Sequence, residues 1–397
     1  MYKRKDLEFI QVQIKKPRSL IYVLSGPRQV GKTTLAHQLI ESVKTDAIYA
    51  SADEAIAAGG DWIDGIWQSA RDRLRIGDKK EIILIIDEIQ KVANWSHFVK
   101  KNWDRDSLDK LNLKVVLLGS SRMLIMRGLN ESLTGRFFLH YIGHWSYPEM
   151  HAAFGVSPEE YAWFGGYPKA AEFIREEKLF KEYVRNSIIE PSISKDVLML
   201  TQVNKPALLR QLFELGSAYS GQVLSFNKIL GQFQEAGNAS TLANYAELLR
   251  QASLIAGLDE YSSKPIKMKA SSPKFQVFDM ALLSALSHLS FEQARMESSF
   301  WGRVIESLVG ARLLNLANKD SLSKLYYWRD GDTEVDFVVR YGGEVLAIEV
   351  KSKLSDAVPE NLAEFVRRFP GARTLLIGEN GLKLHDFLMI EAIADLF

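Results

Sequence analysis

The chain contains no cysteine, which excludes a disulfide framework and any thiolate metal site. Long apolar runs are missing as well. The longest, such as Ile82–Ile86, are of strand length, whereas a membrane span needs roughly 20 residues. Nor is there an excess of either charge: 50 Lys and Arg stand against 49 Asp and Glu, a formal net charge of +1. No global field draws in a polyanion, so any nucleic-acid contact has to come from a local basic patch. The basic start Lys3-Arg4-Lys5 runs into Asp6 and Glu8 rather than an apolar stretch, so a signal peptide is not expected. These absences predict a cytoplasmic protein with no membrane partner.

What is present is ordinary in amount and unusual in pattern. Hydrophobic residues make up 47% and charged residues 25% of 397 positions, a globular composition too long for one core. Ser19–Ser25 is apolar and partly β-branched, and it leads into Gly26-Pro27-Arg28-Gln29-Val30-Gly31-Lys32-Thr33. Leu35, Leu39 and Val43 then follow at helical spacing. Strand, glycine loop and helix together are the context of a phosphate-binding loop. The glycines let backbone N–H groups wrap phosphates, and the helix N-terminus adds its dipole. Lys32 is then expected to neutralise β- and γ-phosphates, and the Thr33 hydroxyl to bind Mg²⁺.

A second apolar strand, Ile82–Ile86, ends in Asp87-Glu88, at the carboxyl edge where open α/β sheets bind ligands. Asp87 is expected to hold Mg²⁺ through water and Glu88 to act as general base on the attacking water. A third strand, Lys114–Leu118, ends in Gly119-Ser120-Ser121; Ser120 is the candidate sensor of the γ-phosphate. Arg136, in Leu133-Thr134-Gly135-Arg136, could reach transition-state charge in the same or a neighbouring subunit. Arg122 and Arg127 compete for that role, and a plain salt bridge competes with all three.

Further along, Phe164-Gly165-Gly166-Tyr167-Pro168 punctuates the chain, as a boundary would. Helical patterning is expected from Lys169 to about Arg185. Three helices (Pro206–Ser217, Ser225–Gln234, Thr241–Ala252) and two short strands (Leu254–Tyr261, Lys274–Phe278) then outline a winged helix, with Ser225 and Ser240 as N-caps. The third helix offers only Arg250 to DNA, with Glu247 beside it. Lys264, Lys267 and Lys269 are the best phosphate contacts, and a packing or lid role competes with DNA binding.

Near the end, Asp332–Arg340 and Glu344–Lys351 flank Tyr341-Gly342-Gly343, a hairpin signal. A Gly-Gly loop sets Asp336 opposite Glu349 and Glu334 opposite Lys351, all four on one face. Val335, Phe337, Val339, Leu346, Ile348 and Val350 would form the core face. Opposed carboxylates repel, and a divalent cation would relieve the conflict. Lys351 could then orient water or stabilise phosphate charge. Glu306, on a helix predicted over Ser299–Ala317 with Gly302 and Gly310 nearby, could complete the metal site or pair with Arg303. A salt-bridged hairpin without metal is the competing interpretation.

Taken together, Gly26–Thr34, Leu84–Gln90, Gly119-Ser120-Ser121, Leu133–Arg136, Gly165–Pro168, Lys274–Leu282, Glu306, Glu334–Val338 and Ile348–Lys351 resemble a group of prokaryotic ATPases. The group combines an AAA-type P-loop domain, a winged-helix segment and a PD-(D/E)xK nuclease-like domain. The resemblance implies an α/β fold: a P-loop parallel-sheet domain over 1–150, a helical linker over 151–203, a mostly helical winged-helix-like part over 204–290 and a restriction-endonuclease-like domain over 291–397. It implies that Gly26–Thr34, Thr34 included, holds ATP, that Asp336 and Glu349 are metal ligands, and that Lys351 is the catalytic lysine. Expected partners are ATP and Mg²⁺, then DNA or RNA, a second copy of the chain, or a protein partner. The reading that follows is an ATPase whose tail cuts nucleic acid; the rival is a nucleotide switch or remodelling ATPase whose tail binds without cutting.

Overall fold

The computed structural model describes residues 2–55, 59–76, 80–120, 122–198, 203–231, 238–262, 272–351 and 359–397. Its contacts divide the chain into two compact units, 1–142 and 143–397.

In the first unit the apolar segments become parallel strands joined by helices: α1 (Lys5–Ile14), β1 (Ile21–Ser25), α2 (Lys32–Ser42), β2 (Asp46–Ser51), α3 (Gly59–Ile76), β3 (Ile82–Asp87), α4 (Trp95–Leu108), β4 (Leu113–Gly119), α5 (Arg122–Ser132) and β5 (Phe137–Tyr141). The strand order is β2-β3-β4-β1-β5, and every pair is parallel. A parallel sheet covered on both faces needs side chains that are apolar on both, and alternate residues do separate cleanly. Ile82, Leu84, Ile86, Val115 and Leu117 pack with Trp67 of α3 and Trp103 of α4. Ile83, Ile85, Val116 and Leu118 pack with Leu35 and Leu39 of α2 and with Leu7 and Ile10 of α1. Each such side chain contributes about 1.5–3 kcal/mol by leaving water. This is the α/β fold of a P-loop ATPase, with β4 inserted between β1 and β3.

The second unit opens with α6 (Tyr147–Phe154) and α7 (Pro158–Phe164). Each begins with a capping box, Ser146 with Glu149 and Ser157 with Glu160, which satisfies orphan N–H donors at the helix start. Gly165 and Gly166 follow, and here the structure corrects the expectation of a boundary: both are buried inside the unit. Asp279 accepts from the Gly166 N–H at 2.7 Å and from the Ala281 N–H at 2.9 Å. Burial pushes its carboxyl up to about 7 against those two donors. The stretch expected as one helix from Lys169 is broken; a short 3₁₀ turn at Ala170–Phe173 precedes α8 (Glu177–Tyr183). The Glu177 carboxylate accepts from Trp163 Nε1 and from the Phe291 N–H, which fixes where α8 starts.

Next come α9 (Pro206–Ala218), α10 (Phe226–Leu230), α11 (Ala239–Gln251), β6 (Ile255–Leu258) and β7 (Lys274–Val277). β6 and β7 form an antiparallel pair, so the expected helices and strands appear in the expected order. Ser225 caps α10 as expected, but α11 is capped by Asn238 rather than Ser240. The Ser240 hydroxyl donates to the Asn238 side chain instead. The lysines at 264, 267 and 269 lie outside the described residues.

The chain ends with α12 (Met280–Ser284), α13 (Phe291–Met296), α14 (Ser298–Lys319), β8 (Ser323–Asp330), β9 (Thr333–Tyr341), β10 (Glu344–Lys351), α15 (Glu360–Arg368), β11 (Arg373–Gly378) and α16 (Leu384–Met389). The sheet order is β11-β10-β9-β8, antiparallel except for the parallel pair β10–β11. No helix among the described residues is long and apolar enough to cross a membrane.

A Cβ at position 166 would lie 2.1 Å from the Trp145 carbonyl oxygen, a backbone atom that cannot swing away. Gly166→Ala is therefore expected to destabilise the second unit by about 1–3 kcal/mol. A lower urea midpoint at unchanged slope is the readout; an unchanged midpoint would show that this backbone yields.

Candidate functional site

At the carboxyl edge of the first sheet, β1 releases the chain into the glycine loop. Gln29 and Gly31 take left-handed backbone conformations, with φ of 61° and 89°, and α2 begins at Lys32. Gly26 admits no side chain, since a Cβ there would fall 1.9 Å from the Ile142 carbonyl oxygen. Lys32 is buried, and its Nζ donates to the carbonyls of Gly26 at 3.0 Å and Pro27 at 2.6 Å. The ammonium thus sits over the loop, on the side toward which the loop curls.

Parallel pairing brings the ends of β3 and β4 alongside. The Thr33 hydroxyl donates to Asp87 Oδ2 at 2.6 Å, and the Tyr49 hydroxyl donates to the same oxygen at 2.9 Å. Burial first and the Asp87 charge second raise the Tyr49 pKa, which keeps that donor protonated. Glu88 takes a left-handed conformation with φ of 52°, a strained position for a side chain with a Cβ. It turns the carboxylate toward Ser120 and Gln90, whose Oγ and Nε2 donate to Glu88 Oε2 at 3.0 and 2.6 Å. Lys32, Thr33, Asp87, Glu88 and Ser120 are brought together as expected; Ser121 lies outside the described residues.

Two members of this site carried no motif. Tyr49 belongs because β2 pairs with β3, a neighbour relation that spacing along the chain does not encode. Arg4 belongs because α1 folds back: its guanidinium donates to the Val30 carbonyl at 3.2 Å and meets Asp6 at 3.5 Å. Asp6 in turn contacts His140 Nε2 at 2.7 Å.

The arginines are placed differently. Arg136 precedes β5, and its carbonyl accepts from the Ile21 N–H at the start of β1. It therefore lies at the amino edge of the sheet, roughly 16 Å of strand away from the glycine loop. There it forms a two-point ion pair with Asp104 of α4, at 2.7 and 3.1 Å. The same-subunit option for Arg136 is corrected by this topology. Arg127 pairs with Glu131 on the surface.

In the second unit, β9 and β10 pair in the expected register, from Glu344 opposite Tyr341 to Ile348 opposite Phe337. The ladder ends there, short of the expected pairs Asp336 with Glu349 and Glu334 with Lys351. Asp336 Oδ2 accepts from the Val350 N–H at 2.8 Å, so its side chain takes over the hydrogen bonding. One face assignment is corrected. A bulge sets both Asp336 and Phe337 against Tyr327 of β8, and pairing resumes with Val335 opposite Trp328. The extra residue reverses the alternation. Val335 packs with Val338, Ala347 and Phe365, while the Phe337 ring reaches Gly310 of α14.

The bulge aims β9 at a residue with no expected role beyond opening a strand and belonging to the Lys274–Leu282 segment of the resemblance. Lys274, the first residue of β7, is fully buried. Its Nζ contacts Glu306 Oε1 at 2.7 Å, Glu334 Oε1 at 3.1 Å and the Asp336 carbonyl at 3.2 Å, with Asp336 Oδ1 at 3.7 Å. Three donors meet three acceptors, which uses the full capacity of an ammonium. Burial works to lower the Lys274 pKa, but Glu306, Asp336 and Glu334 outweigh it and hold the ammonium charged. Burial and the Asp336 charge push Glu306 up to about 7 despite Lys274.

Glu306, expected as a metal ligand or as a partner of Arg303, is thus paired with Lys274. Among the described residues, no three His, Asp or Glu side chains converge into a metal cage. Lys351 Nζ pairs with Glu349 Oε1 at 2.6 Å, whereas Glu349 Oε2 is buried with no donor in good hydrogen-bond geometry, although the Asn361 amide is near enough to work against the rise in the Glu349 pKa. Burial first and then Asp336 raise the Glu349 pKa. Asp336, Glu349 and Lys351 line an open cleft of about 410 Å³ together with Asp332 and Glu334 of the β9 strand and its approach, and Glu360 and Glu364 of α15. Six carboxylates against one lysine make a surface that repels a polyanion unless cations intervene. On α11, Arg250 is held by Glu247 at 2.6 and 2.7 Å, so that helix presents no unpaired arginine to a phosphate.

Residues 18–151 match the AAA domain family, and the first unit is accordingly an AAA-type P-loop ATPase domain. Residues 157–293 and 301–391 match two domains of unknown function, DUF8612 and DUF4143. Uncharacterized proteins of Mycobacterium bovis and Mycobacterium tuberculosis are each 24% identical over 378 residues, 93% of this chain and 79% of theirs. An uncharacterized protein of Methanocaldococcus jannaschii is 25% identical over 88% of this chain and 78% of its own. Among solved structures, the Thermotoga maritima RuvB Holliday junction branch migration motor is 16% identical, covering 64% of this chain and 89% of that one, at a TM-score of 0.35.

The position of Arg136 makes a specific demand. If it stabilises transition-state charge, it does so in a neighbouring copy, and mixtures of Arg136→Ala and Lys32→Ala chains are expected to recover part of the ATPase activity that each lacks. No recovery at any mixing ratio would reduce Arg136 to the partner of Asp104.

Proposed function

We propose that the chain is a Mg²⁺-dependent ATP hydrolase. The observation that carries this reading is the convergence, at one sheet edge, of Lys32 with the Thr33–Asp87 and Ser120–Glu88 hydrogen bonds. A hydroxyl beside a carboxylate suits a hard divalent cation. Thr33 directly, and Asp87 through water, would hold Mg²⁺, which when bound neutralises phosphate oxygens. Backbone N–H groups from Gly26 to Thr34 and the N-terminus of α2 hold the phosphates. Lys32 exchanges its two carbonyl partners for β- and γ-phosphate oxygens. Glu88, oriented by Ser120 and Gln90, accepts the proton of the attacking water. Ser120 senses the γ-phosphate through Glu88. Glu88→Gln is expected to retain nucleotide binding and lower turnover by about 10²–10⁴-fold, whereas Lys32→Ala loses both. Fluorescent-nucleotide binding and phosphate release separate the two; equal turnover in Glu88→Gln and wild type would remove Glu88 as the base.

A second reading concerns the tail. The hairpin register and the bulge leave Asp336 and Glu349 on one cleft with Lys351, and with one buried Glu349 oxygen unpaired. That set favours a metal-dependent nuclease-like site in a PD-(D/E)xK-type domain, downstream of a winged-helix-like segment that packs rather than reads DNA. Asp336 and Glu349 would hold the cation, whose bound form activates water and neutralises the phosphodiester, while Lys351 orients the water. Asp336→Ala is expected to abolish Mn²⁺-dependent cleavage of labelled DNA and RNA while ATP turnover stays normal. Cleavage that survives the substitution overturns this reading, and absence of cleavage in the wild type supports a nucleotide-driven switch that binds a partner without cutting it.

A further inference from the structure

Four carboxylates and two ammoniums meet around the base of the hairpin. Lys274 contacts Glu306, Glu334 and Asp336, and Lys351 contacts Glu349. With every group ionised, four negative charges face two positive ones, a formal charge of −2 carried by the six side chains. One divalent cation brings this to zero; two would reverse it, since of the other carboxylates lining the cleft Asp332 and Glu360 are exposed and screened by water and Glu364 is paired with Arg367. Beside the fully buried Lys274 ammonium and the buried Glu349 carboxylate, where charges interact strongly, both the uncompensated and the overcompensated states are costly.

We propose that Lys274 is a built-in cation of the tail site: it meets the charge demand of Glu306, Glu334 and Asp336, so that the site accepts no more than one divalent ion, at Asp336 and Glu349. The proposal deepens the second reading given above and rests on it for the identity of the two ligands. The geometry supports a dedicated role. The ammonium is fully buried, all its donors are used, and its contacts come from α14 and β9 rather than from its own strand. Glu306 and Glu334 are already matched, one at 2.7 Å and the other at 3.1 Å. The one buried carboxylate oxygen of the group without a partner belongs to Glu349. Lys274 is on this account a positioning residue: it fixes Asp336 through both its carbonyl and its carboxylate.

The test replaces the charge while keeping the length. In chelator, Lys274→Met is expected to melt well below wild type, because three carboxylates lose their counterion. At one fixed Mn²⁺ concentration, the melting temperature of Lys274→Met is then expected to rise by about 5–10 °C more than that of wild type, the excess that a roughly hundredfold tighter Mn²⁺ affinity in the variant gives. The extra rise should shrink in Lys274→Met combined with Glu306→Gln, where less charge needs compensation. An Mn²⁺ response equal to that of wild type reduces Lys274 to a packing residue and overturns the proposal. Should Lys274→Met fail to fold even with Mn²⁺, the count in wild type decides. Electron paramagnetic resonance of nucleotide-free wild-type protein is expected to find at most one tightly bound Mn²⁺ per chain, and two overturn the proposal. None bound in wild type, with the extra rise present in Lys274→Met, supports Lys274 as the built-in cation and removes the Asp336–Glu349 metal reading.

Discussion

The buried ammonium of Lys274 ties together three pieces of the second unit that are far apart in sequence. It leaves β7, meets Glu306 on α14, and reaches Glu334 and Asp336 on β9. A charge taken that far from water is tolerated only when every donor finds an acceptor. The requirement runs in both directions, since Glu306 and Asp336 are themselves partly withdrawn from water and held close together, which raises their pKa values. Much of the local structure follows from it. The β9 bulge turns Asp336 inward, the absence of a side chain at Gly310 leaves room for the Phe337 ring, and Asp336 takes the Val350 N–H that the strand ladder gives up.

The first unit depends on a different constraint, the two-sided burial of a parallel sheet. Because β1, β3 and β4 run in the same direction, their carboxyl ends gather at one edge without help from any side chain. The glycine loop, Asp87-Glu88 and Gly119-Ser120 are the segments that meet there. Chemistry then refines what topology assembles: Thr33 and Tyr49 fix Asp87, while Ser120 and Gln90 fix Glu88. The same topology sends Arg136 to the opposite edge, which is why it cannot serve the site of its own chain.

The two sites differ in electrostatic character. The nucleotide site combines a lysine, backbone donors and a helix N-terminus, an arrangement made for an anion. The tail cleft is lined by carboxylates, and its one lysine is already paired. A phosphodiester would approach it only with a cation in place. A partner rich in Lys or Arg would need none.

What the sequence determined by itself is whatever short-range periodicity and turn chemistry govern. The apolar strands, the glycine loop, the helix after it and the Gly342-Gly343 hairpin with its register were all legible, because each is set by neighbours within a few residues. The boundary placed at Gly165-Gly166 failed for the complementary reason. Those glycines answer to Asp279 and the Trp145 carbonyl, and neither contact leaves a local pattern. Tyr49 and Arg4 joined the nucleotide site through strand order and through the return of α1. Lys274 read as an unremarkable strand residue until folding placed it among three carboxylates. Only tertiary structure decides which charges meet, since the energy of an ion pair depends on distance and burial, and distance along the chain carries information about neither.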